Sequence, residues 1–205
     1  MPVAPEDSVT RLSGVGPAVA SRLEKLGVRT VQDLALLLPV RYEDRTRVVP
    51  IGSLRPGQRA VIEGEVLLTE VIRRRRPMLV VAFGDATGLL TLRFFHFNAR
   101  QQQSLARGTR LRCFGEARAG QRGLEMVHPE YQRAASADEP QAETLTPVYP
   151  GTEGLTQARI RQLVGLALRT LGHRLPELLP PGTLAGRGLP ALKEALRLLH
   201  RPPPD

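Results

Sequence analysis

Between about Arg55 and Arg133, apolar residues recur with a period of two, which is the spacing of side chains along one face of a β-strand. Turns that contain Gly or Pro divide this region, for example Pro56-Gly57 and Gly84-Asp-Ala-Thr-Gly88. We expect five strands, with one short helix after the third strand. In chain order the expected elements are the strands 60–68, 78–83 and 89–97, the helix 99–106, and the strands 110–117 and 124–127.

This order of elements is that of an OB-fold, a five-stranded Greek-key barrel. The flanking regions instead have helical periodicity, with helices expected at 18–26, 31–38 and 156–171 and shorter ones at 175–179 and 190–200. The predicted fold class is therefore α+β, a five-stranded OB-fold β-barrel flanked by N- and C-terminal helical segments. The expected domains are an N-terminal helical segment (1–54), the OB-fold (55–150, with a flexible link near 134–142) and a C-terminal helical segment (151–205).

The formal net charge of +9 is concentrated in the predicted barrel, because residues 55–133 contain 14 basic and 7 acidic side chains while the flanks are nearly balanced. Four consecutive basic residues occupy its first loop, namely Arg73, Arg74, Arg75 and Arg76. Crowded guanidinium groups repel one another and favour counter-charge such as phosphate, which they bind in bidentate geometry. In an OB-fold the first loop and the third strand belong to the nucleic-acid-binding face. A solvated hairpin tip is the alternative interpretation.

Alternation along the third predicted strand places Leu90, Leu92 and Phe94 on one face and Thr91, Arg93 and Phe95 on the other. The first set is entirely apolar and belongs in the barrel. The second set contains an arginine, so we expect Phe95 on the open face, where its ring can stack on a base. The alternative is that Phe95 packs beneath a flanking helix. The remaining candidates for nucleic-acid contact in this region are Phe97 and Arg100.

The segment Ser13-Gly-Val-Gly-Pro17 precedes a predicted helix and resembles the hairpin of a helix-hairpin-helix element. In such elements the Gly-x-Gly backbone amides at a helix N-terminus bind a phosphate, so Gly14 and Gly16 are candidate nucleic-acid contacts. A purely structural turn explains the same residues equally well.

Residues for catalysis are not evident. The chain lacks a Gly-x-x-x-x-Gly-Lys-Ser/Thr phosphate loop, and its four histidines have no cysteine partners at metal-ligand spacing. We therefore predict no catalytic residues, no metal site and no cofactor in this chain. Its one cysteine, Cys113, excludes an internal disulfide, and no signal peptide or long apolar run is present. These features predict a soluble, cytoplasmic protein that is not membrane-bound.

Several short motifs occur along the chain in a fixed order. They are Gly14-Val-Gly-Pro, Thr30-Val-Gln-Asp-Leu, Leu38-Pro-Val-Arg-Tyr-Glu-Asp-Arg-Thr, Phe94-Phe, His128-Pro-Glu-Tyr131, Leu145-Thr-Pro-Val-Tyr-Pro, Thr152-Glu-Gly and Leu199-His-Arg-Pro-Pro. As a collinear set they resemble the N-terminal region of the RecG family of bacterial branch-migration helicases.

This resemblance implies that the chain is a fragment of a longer ATP-dependent DNA helicase, whose missing helicase lobes hold ATP and Mg. It also implies that the OB-fold is a wedge, which binds stalled forks and Holliday junctions and splits strands without sequence specificity. By its place in the Phe94-Phe motif, Phe95 would be the aromatic residue that caps the separated base pairs. A second aromatic residue of some family members falls at Ala99 in this chain.

The partners that the resemblance implies are branched DNA, the protein's own helicase lobes and single-stranded-DNA-binding protein. It further implies a monomer located in the bacterial cytoplasm and associated with the nucleoid. The competing interpretation is a protein-interaction OB module that docks the tail of single-stranded-DNA-binding protein, because an acidic tail would suit the arginine loop equally well. Substitution of these arginines, with DNA and tail peptide tested separately, would distinguish the two.

Overall fold

The computed structural model describes residues 2–73, 75–121, 123–134, 144–172 and 174–204. The α-helices of this described part are α1 (Pro17–Glu24), α2 (Val31–Ala35), α3 (Ala99–Ser104), α4 (Gln157–Leu171), α5 (Pro181–Arg187) and α6 (Leu192–His200). Its β-strands are β1 (Arg41–Glu43), β2 (Arg59–Ile72), β3 (Met78–Gly84), β4 (Leu89–Phe94), β5 (Arg110–Gly120), β6 (Gly123–Val127), β7 (Glu130–Arg133) and β8 (Thr146–Val148).

The chain folds as two compact units, one formed by residues 1–44 with 144–205 and the other by residues 45–143. This division differs from the expected ranges 1–54, 55–150 and 151–205, because the two helical segments belong to the same unit. Their apolar residues share one core, in which Leu34 of α2 is buried together with Leu163 and Val164 of α4. The helices before the barrel are too short to be stable alone, so they are stabilised by tertiary packing of their apolar faces. Of the link expected at 134–142, only Ala134 is among the described residues.

In the unit 45–143, five strands close into a ring. β2 pairs with β3, β3 with β4, and β5 with both β2 and β6, all antiparallel. β4 and β6 pair in parallel and complete the circuit. With α3 between β4 and β5, this is the element order of the predicted OB-fold, and the predicted α+β class is confirmed.

The alternation predicted for the third strand of the ring is confirmed. Leu90, Leu92 and Phe94 of β4 are buried in the core of the ring, whereas Thr91 and Arg93 face outward and are half-buried. The pleat of a strand sends successive side chains to opposite faces, and only one of these faces meets the interior. The core of this unit therefore sits inside the ring.

Two features of the ring differ from the sequence prediction. β4 ends at Phe94 and not at residue 97, because its last pairing is with Leu79, next to the first residue of β3. A sixth strand, β7, follows the His128-Pro129 corner and pairs with β5 alongside the ring. Because β5 is long enough to pair with β6 near its end and with β7 near its start, one edge of β5 is shared by two short strands.

The other unit is mainly helical. Thr30 caps α2 in a capping box with Asp33, and Thr156, expected as the first residue of its helix, is instead the N-cap of α4. A two-stranded antiparallel sheet of β1 and β8 belongs to the same unit. The helix expected at 175–179 is absent, and α5 lies further along the chain, from Pro181. Pro176 and Pro180 explain this shift, since proline disfavours a helix before it and is tolerated in a first turn.

Candidate nucleic-acid interface

The loop between β2 and β3 contains the arginine run. Arg73, Arg75 and Arg76 are exposed, and Arg74 lies outside the described residues. Among the residues that the structure does describe, no acidic side chain pairs with any of the three. Their charges are therefore available to an anionic ligand in solution.

Phe95 lies at the same end of the ring as this loop. β3 starts directly after the loop, and its residue Leu79 is the partner of Phe94, the last residue of β4. The Phe95 side chain is 49% exposed. This exposure agrees with the expected open position and disagrees with the alternative in which Phe95 packs beneath a helix.

The backbone of Phe95 is held by His128, which lies at the corner between β6 and β7. The Phe95 N–H donates a hydrogen bond to Nε2 of His128, with a distance of 3.0 Å between the two nitrogens. The rings of Phe95 and His128 have their centroids 5.7 Å apart. Beneath them, Phe94 meets His128 edge-on at 5.9 Å and Tyr131 edge-on at 5.7 Å. Phe95 is thus adjacent to a group of three rings, of which Phe94 is buried, Tyr131 is half-buried and His128 is exposed.

His96 places a second imidazole beside Phe95 and His128. Its ring stacks on that of His128, with centroids 6.0 Å apart and an angle of 25° between the planes. Burial lowers the pKa of His128, and the neighbouring His96 lowers it further. His128 is therefore neutral at pH 7, which is the state in which Nε2 can accept the Phe95 N–H.

Arg93 is in a different electrostatic state from the loop arginines. Its Nε lies 2.7 Å from Oε2 of Glu125, and both side chains are less than a quarter exposed. The two residues come from the parallel neighbours β4 and β6, on the outer face of the ring. Glu125 therefore already neutralises Arg93, which would have to leave this ion pair to contact a phosphate.

The candidates that follow β4 have contrasting environments. Phe97 is half-buried and packs against the core of the ring, so its ring is less accessible than that of Phe95. Ala99 and Arg100 form the start of α3 and are exposed. Arg100 can reach solvent anions, whereas Ala99 offers no stacking surface.

Gly14 and Gly16 belong to the other compact unit. Gly14 has a φ of +79°, and its carbonyl oxygen accepts a hydrogen bond of 2.6 Å from Nη2 of Arg159 in α4. Gly16 is the N-cap of α1 with an extended backbone. Arg159 accounts for the shape of this turn by an internal contact, which favours its structural interpretation.

Sequence reasoning assigned no role to Glu125, which neutralises Arg93, or to His128, which accepts a hydrogen bond from the Phe95 backbone. A neutralising carboxylate on a parallel neighbour cannot be identified without the strand order. For His128, the available signal was the His-Pro pair directly after a strand, which is typical of a chain reversal.

In the part of the chain that the structure covers, no cluster of three or more His, Cys, Asp or Glu side chains could hold a metal ion. Within the same ranges, no helix has both the length and the apolar character needed to cross a bilayer.

The closed five-stranded ring defines an OB-fold protein, with a basic loop and an exposed aromatic residue at one end. The RecG wedge domain profile matches residues 9–171. The chain therefore belongs to the RecG wedge domain family.

Similar proteins agree with this membership. The chain is 49% identical over 198 residues to the ATP-dependent DNA helicase RecG of Escherichia coli O127:H6 (strain E2348/69 / EPEC), which covers 96% of the chain and 28% of that protein. It is 47% identical over 199 residues to the ATP-dependent DNA helicase RecG of Haemophilus influenzae, with coverage of 96% and 28%. The chain thus spans about 28% of the length of these relatives.

A solved structure described as RecG bound to a three-way DNA junction has the same fold. The TM-score is 0.81 at 24% sequence identity, over 99% of this chain and 28% of the solved chain. The fold of this chain therefore recurs in that protein.

Proposed function

We propose that this chain is the branched-DNA-binding wedge module of a helicase for replication-fork reversal and Holliday-junction branch migration. The observation that carries the proposal is the common position of the exposed Phe95 and the uncompensated loop arginines at one end of the ring. The likeness in fold to RecG bound to a three-way DNA junction supports the same function.

The loop arginines supply affinity without sequence preference. Phosphate oxygens are identical at every base step, so guanidinium contacts fix the position of the DNA but do not read its bases. Arg73, Arg75 and Arg76 are exposed and can engage phosphates without breaking an internal ion pair. Release of condensed counterions then makes the binding dependent on salt.

Phe95 supplies the splitting surface. A base pair at a branch point loses stacking on one side, and an aromatic ring can replace the lost contact at about 1–3 kcal/mol per base. The ring of Phe95 is half exposed while its backbone is anchored, so it can meet a terminal base pair without refolding. This geometry suits one-sided capping, because Ala99 offers no second ring.

The wider setting of the module is also a proposal. The similar proteins are ATP-dependent DNA helicases, of which this chain spans about 28%. We place the ATP and Mg sites in further lobes of such a protein, with this module acting beside them as a monomer in the bacterial cytoplasm and nucleoid. Single-stranded-DNA-binding protein is the second partner that we propose, through the same basic loop.

Fluorescence anisotropy of this chain with a model fork, a plain duplex and a single strand, each at two salt concentrations, tests the proposal. We expect the fork to bind most tightly, with a log–log salt slope of about −0.7 to −0.9 per phosphate contacted. The double variant Arg75→Gln/Arg76→Gln should weaken binding and reduce the slope by about 2. Arg187→Gln, which removes one exposed arginine of the helical unit, is a control for loss of charge outside the ring and should change neither.

Equal affinity for all three DNAs, or a slope that is flat with salt, would contradict the proposal. If the arginine double variant instead loses binding to an acidic peptide and keeps DNA binding, the loop is a protein-docking site. For the splitting step, 2-aminopurine at the branch base pair should change its fluorescence when the chain binds. Phe95→Ala should remove most of that change while affecting duplex binding little.

A further inference from the structure

His128 stands out because it contacts the proposed capping segment from a distant part of the chain. The backbone N–H of His128 donates a hydrogen bond of 2.8 Å to the carbonyl oxygen of Arg93. Its ring nitrogen Nε2 accepts a hydrogen bond of 3.0 Å from the backbone N–H of Phe95. Both hydrogen bonds reach β4 or the residue after it, from a corner 33 positions further along the chain. His128 thus continues the pairing of β4 beyond the last residues of the parallel β6.

The Phe95 amide needs such a partner because the strand ladder has ended. The last pair of β3 and β4 is Leu79 with Phe94, so no strand neighbour remains for Phe95. Without His128, its N–H would be left to solvent, and the segment before α3 would lose an anchor. The chain supports this contact with an unusual backbone, since His128 has a φ of +48°, the only positive value among the non-glycine residues that the structure describes.

We propose that His128 is a positioning residue, which holds the backbone of Phe95 so that the exposed ring faces the branch-point base pair. This inference rests on the proposed function only in assigning Phe95 to the base pair. The hydrogen bond itself can be measured without DNA. His128 does not contact the DNA in this scheme and acts through Phe95.

The contact has a protonation requirement. Nε2 can accept the Phe95 N–H only when the ring is neutral with its proton on Nδ1, and a protonated ring has no acceptor. Titratable groups near His128 include His96, which stacks on it, the Arg93–Glu125 ion pair on β4 and β6, Tyr131 of β7, which contacts Phe94, and Glu130, which pairs with Arg45. The first of these opposes a second positive charge, so the neutral form is favoured at pH 7.

Two substitutions distinguish the effect of the His128 hydrogen bond from the effect of the left-handed backbone at this residue. His128→Gln keeps an oxygen at about the reach of Nε2 but loses the ring. His128→Asn suits the left-handed backbone well, yet its side chain is too short to reach the Phe95 amide. His96→Gln is the matched control, because His96 is exposed, stacks on the same ring and makes no hydrogen bond to Phe95.

The first measurement is the hydrogen-exchange protection of the Phe95 amide in this chain, by NMR without DNA. We expect His128→Asn to lower the protection factor by about fivefold to tenfold, as loss of one hydrogen bond would do, while His128→Gln and His96→Gln retain it. In the wild type, protection should fall as pH is lowered and His128 becomes protonated. Unchanged protection in His128→Asn would overturn the inference, whatever the DNA results show.

The second measurement is the 2-aminopurine signal at the branch of a model fork, with anisotropy measured on the same samples. We expect His128→Asn to lose most of the branch signal, as Phe95→Ala does, while its fork affinity falls by less than that of the arginine double variant. A wild-type signal in His128→Asn alongside loss in Phe95→Ala would overturn the positioning role and leave the proposed function intact. If Phe95→Ala keeps the full signal, the proposed function fails, while the exchange data still decide whether His128 holds the backbone.

Discussion

The phenol oxygen of Tyr149 lies 2.7 Å from Nδ1 of His200 in the interior of the helical unit. On the other side of the same imidazole, Nε2 lies 3.1 Å from the carbonyl oxygen of Ala35 at the end of α2. His200 is only 4% exposed, and both of its nitrogens have partners. This ring therefore joins α6, α2 and the segment after β8 through two hydrogen bonds.

The helical unit should lose stability in mild acid through His200. Burial lowers the pKa of His200 below its ordinary value of 6.5, although the hydrogen bond to Ala35 opposes the shift. The unfolded chain then binds a proton more readily than the folded chain, so the free energy of unfolding falls as pH drops below about 6.5. Urea unfolding at pH 7.5 and 5.5, followed by signals from the helical unit, measures this change.

The variant His200→Gln is the control for that pH dependence. The variant should be less stable than the wild type at pH 7.5, because it loses one of the two buried hydrogen bonds of His200. Its free energy of unfolding should also change less than that of the wild type between pH 7.5 and 5.5. A wild-type pH dependence in this variant would show that other groups cause the effect.

The core of the ring should be sensitive to truncation at Phe83. Its side chain is fully buried in β3, and Phe83→Ala is expected to cost about 3–5 kcal/mol of unfolding free energy by leaving a cavity. Leu89→Ala, at a 67% exposed position of the adjacent β4, should cost less than about 0.5 kcal/mol. Urea denaturation of both variants compares the two, and equal losses would mean that the ring is packed differently.

Removal of the carboxylate that neutralises Arg93 should strengthen DNA binding. In Glu125→Gln the guanidinium of Arg93 keeps its place on the outer face but loses its counter-charge. We expect tighter fork binding and a salt slope steeper by up to about 1, since one more phosphate can be contacted. Anisotropy titrations against salt test this change.

Glu116→Gln is the matched control for that experiment, because Glu116 pairs with Arg118 on β5 in an exposed ion pair. It alters the net charge by the same amount. If both variants strengthen binding equally, the effect comes from total charge, and Arg93 has no particular place in the interface.

The stability of the turn before α1 should fall in Gly14→Ala and remain nearly unchanged in Gly16→Ala. Gly14 has a φ of +79°, which a side chain disfavours by about 1–2 kcal/mol, and an added Cβ would also lie 2.8 Å from Nη2 of Arg159. Gly16 has an ordinary backbone and open space around it, so Gly16→Ala should be nearly neutral. Thermal unfolding compares the variants, and a loss of fork affinity in a stable Gly16→Ala protein would instead support a phosphate contact at this turn.

Local patterns predicted much of this molecule. The period-two run indicated the strands of the ring, and alternation placed Phe94 inside and Phe95 on the opposite face together with Arg93. The start of α2 at residue 31 was predicted correctly, and Thr30 acts there as an N-cap on amides within the next three residues. These features depend on neighbours in the sequence, which is why they could be read without a structure.

Features that depend on distant pairs could not be read in the same way. The shared core of the N- and C-terminal segments joins residues more than a hundred positions apart. The Arg93–Glu125 ion pair and the Phe95–His128 hydrogen bond both require that β4 and β6 be parallel neighbours. β7 was not predicted because the period-two pattern of apolar residues ends before Pro129. Its formation depends on pairing with the free edge of β5, which the sequence pattern does not show.

The parallel pairing of β4 and β6 has a consequence for how this protein can vary. Parallel strands finish at the same end of a sheet, so the residues that follow them arrive side by side however long the intervening chain is. Insertions or deletions in α3 or in the hairpin between β5 and β6 would leave the contact of Phe95 with His128 in register. Evolution can therefore lengthen or shorten those connections freely. A single residue added between β6 and the His128-Pro129 corner would instead shift His128 out of register and break its hydrogen bond to the Phe95 amide.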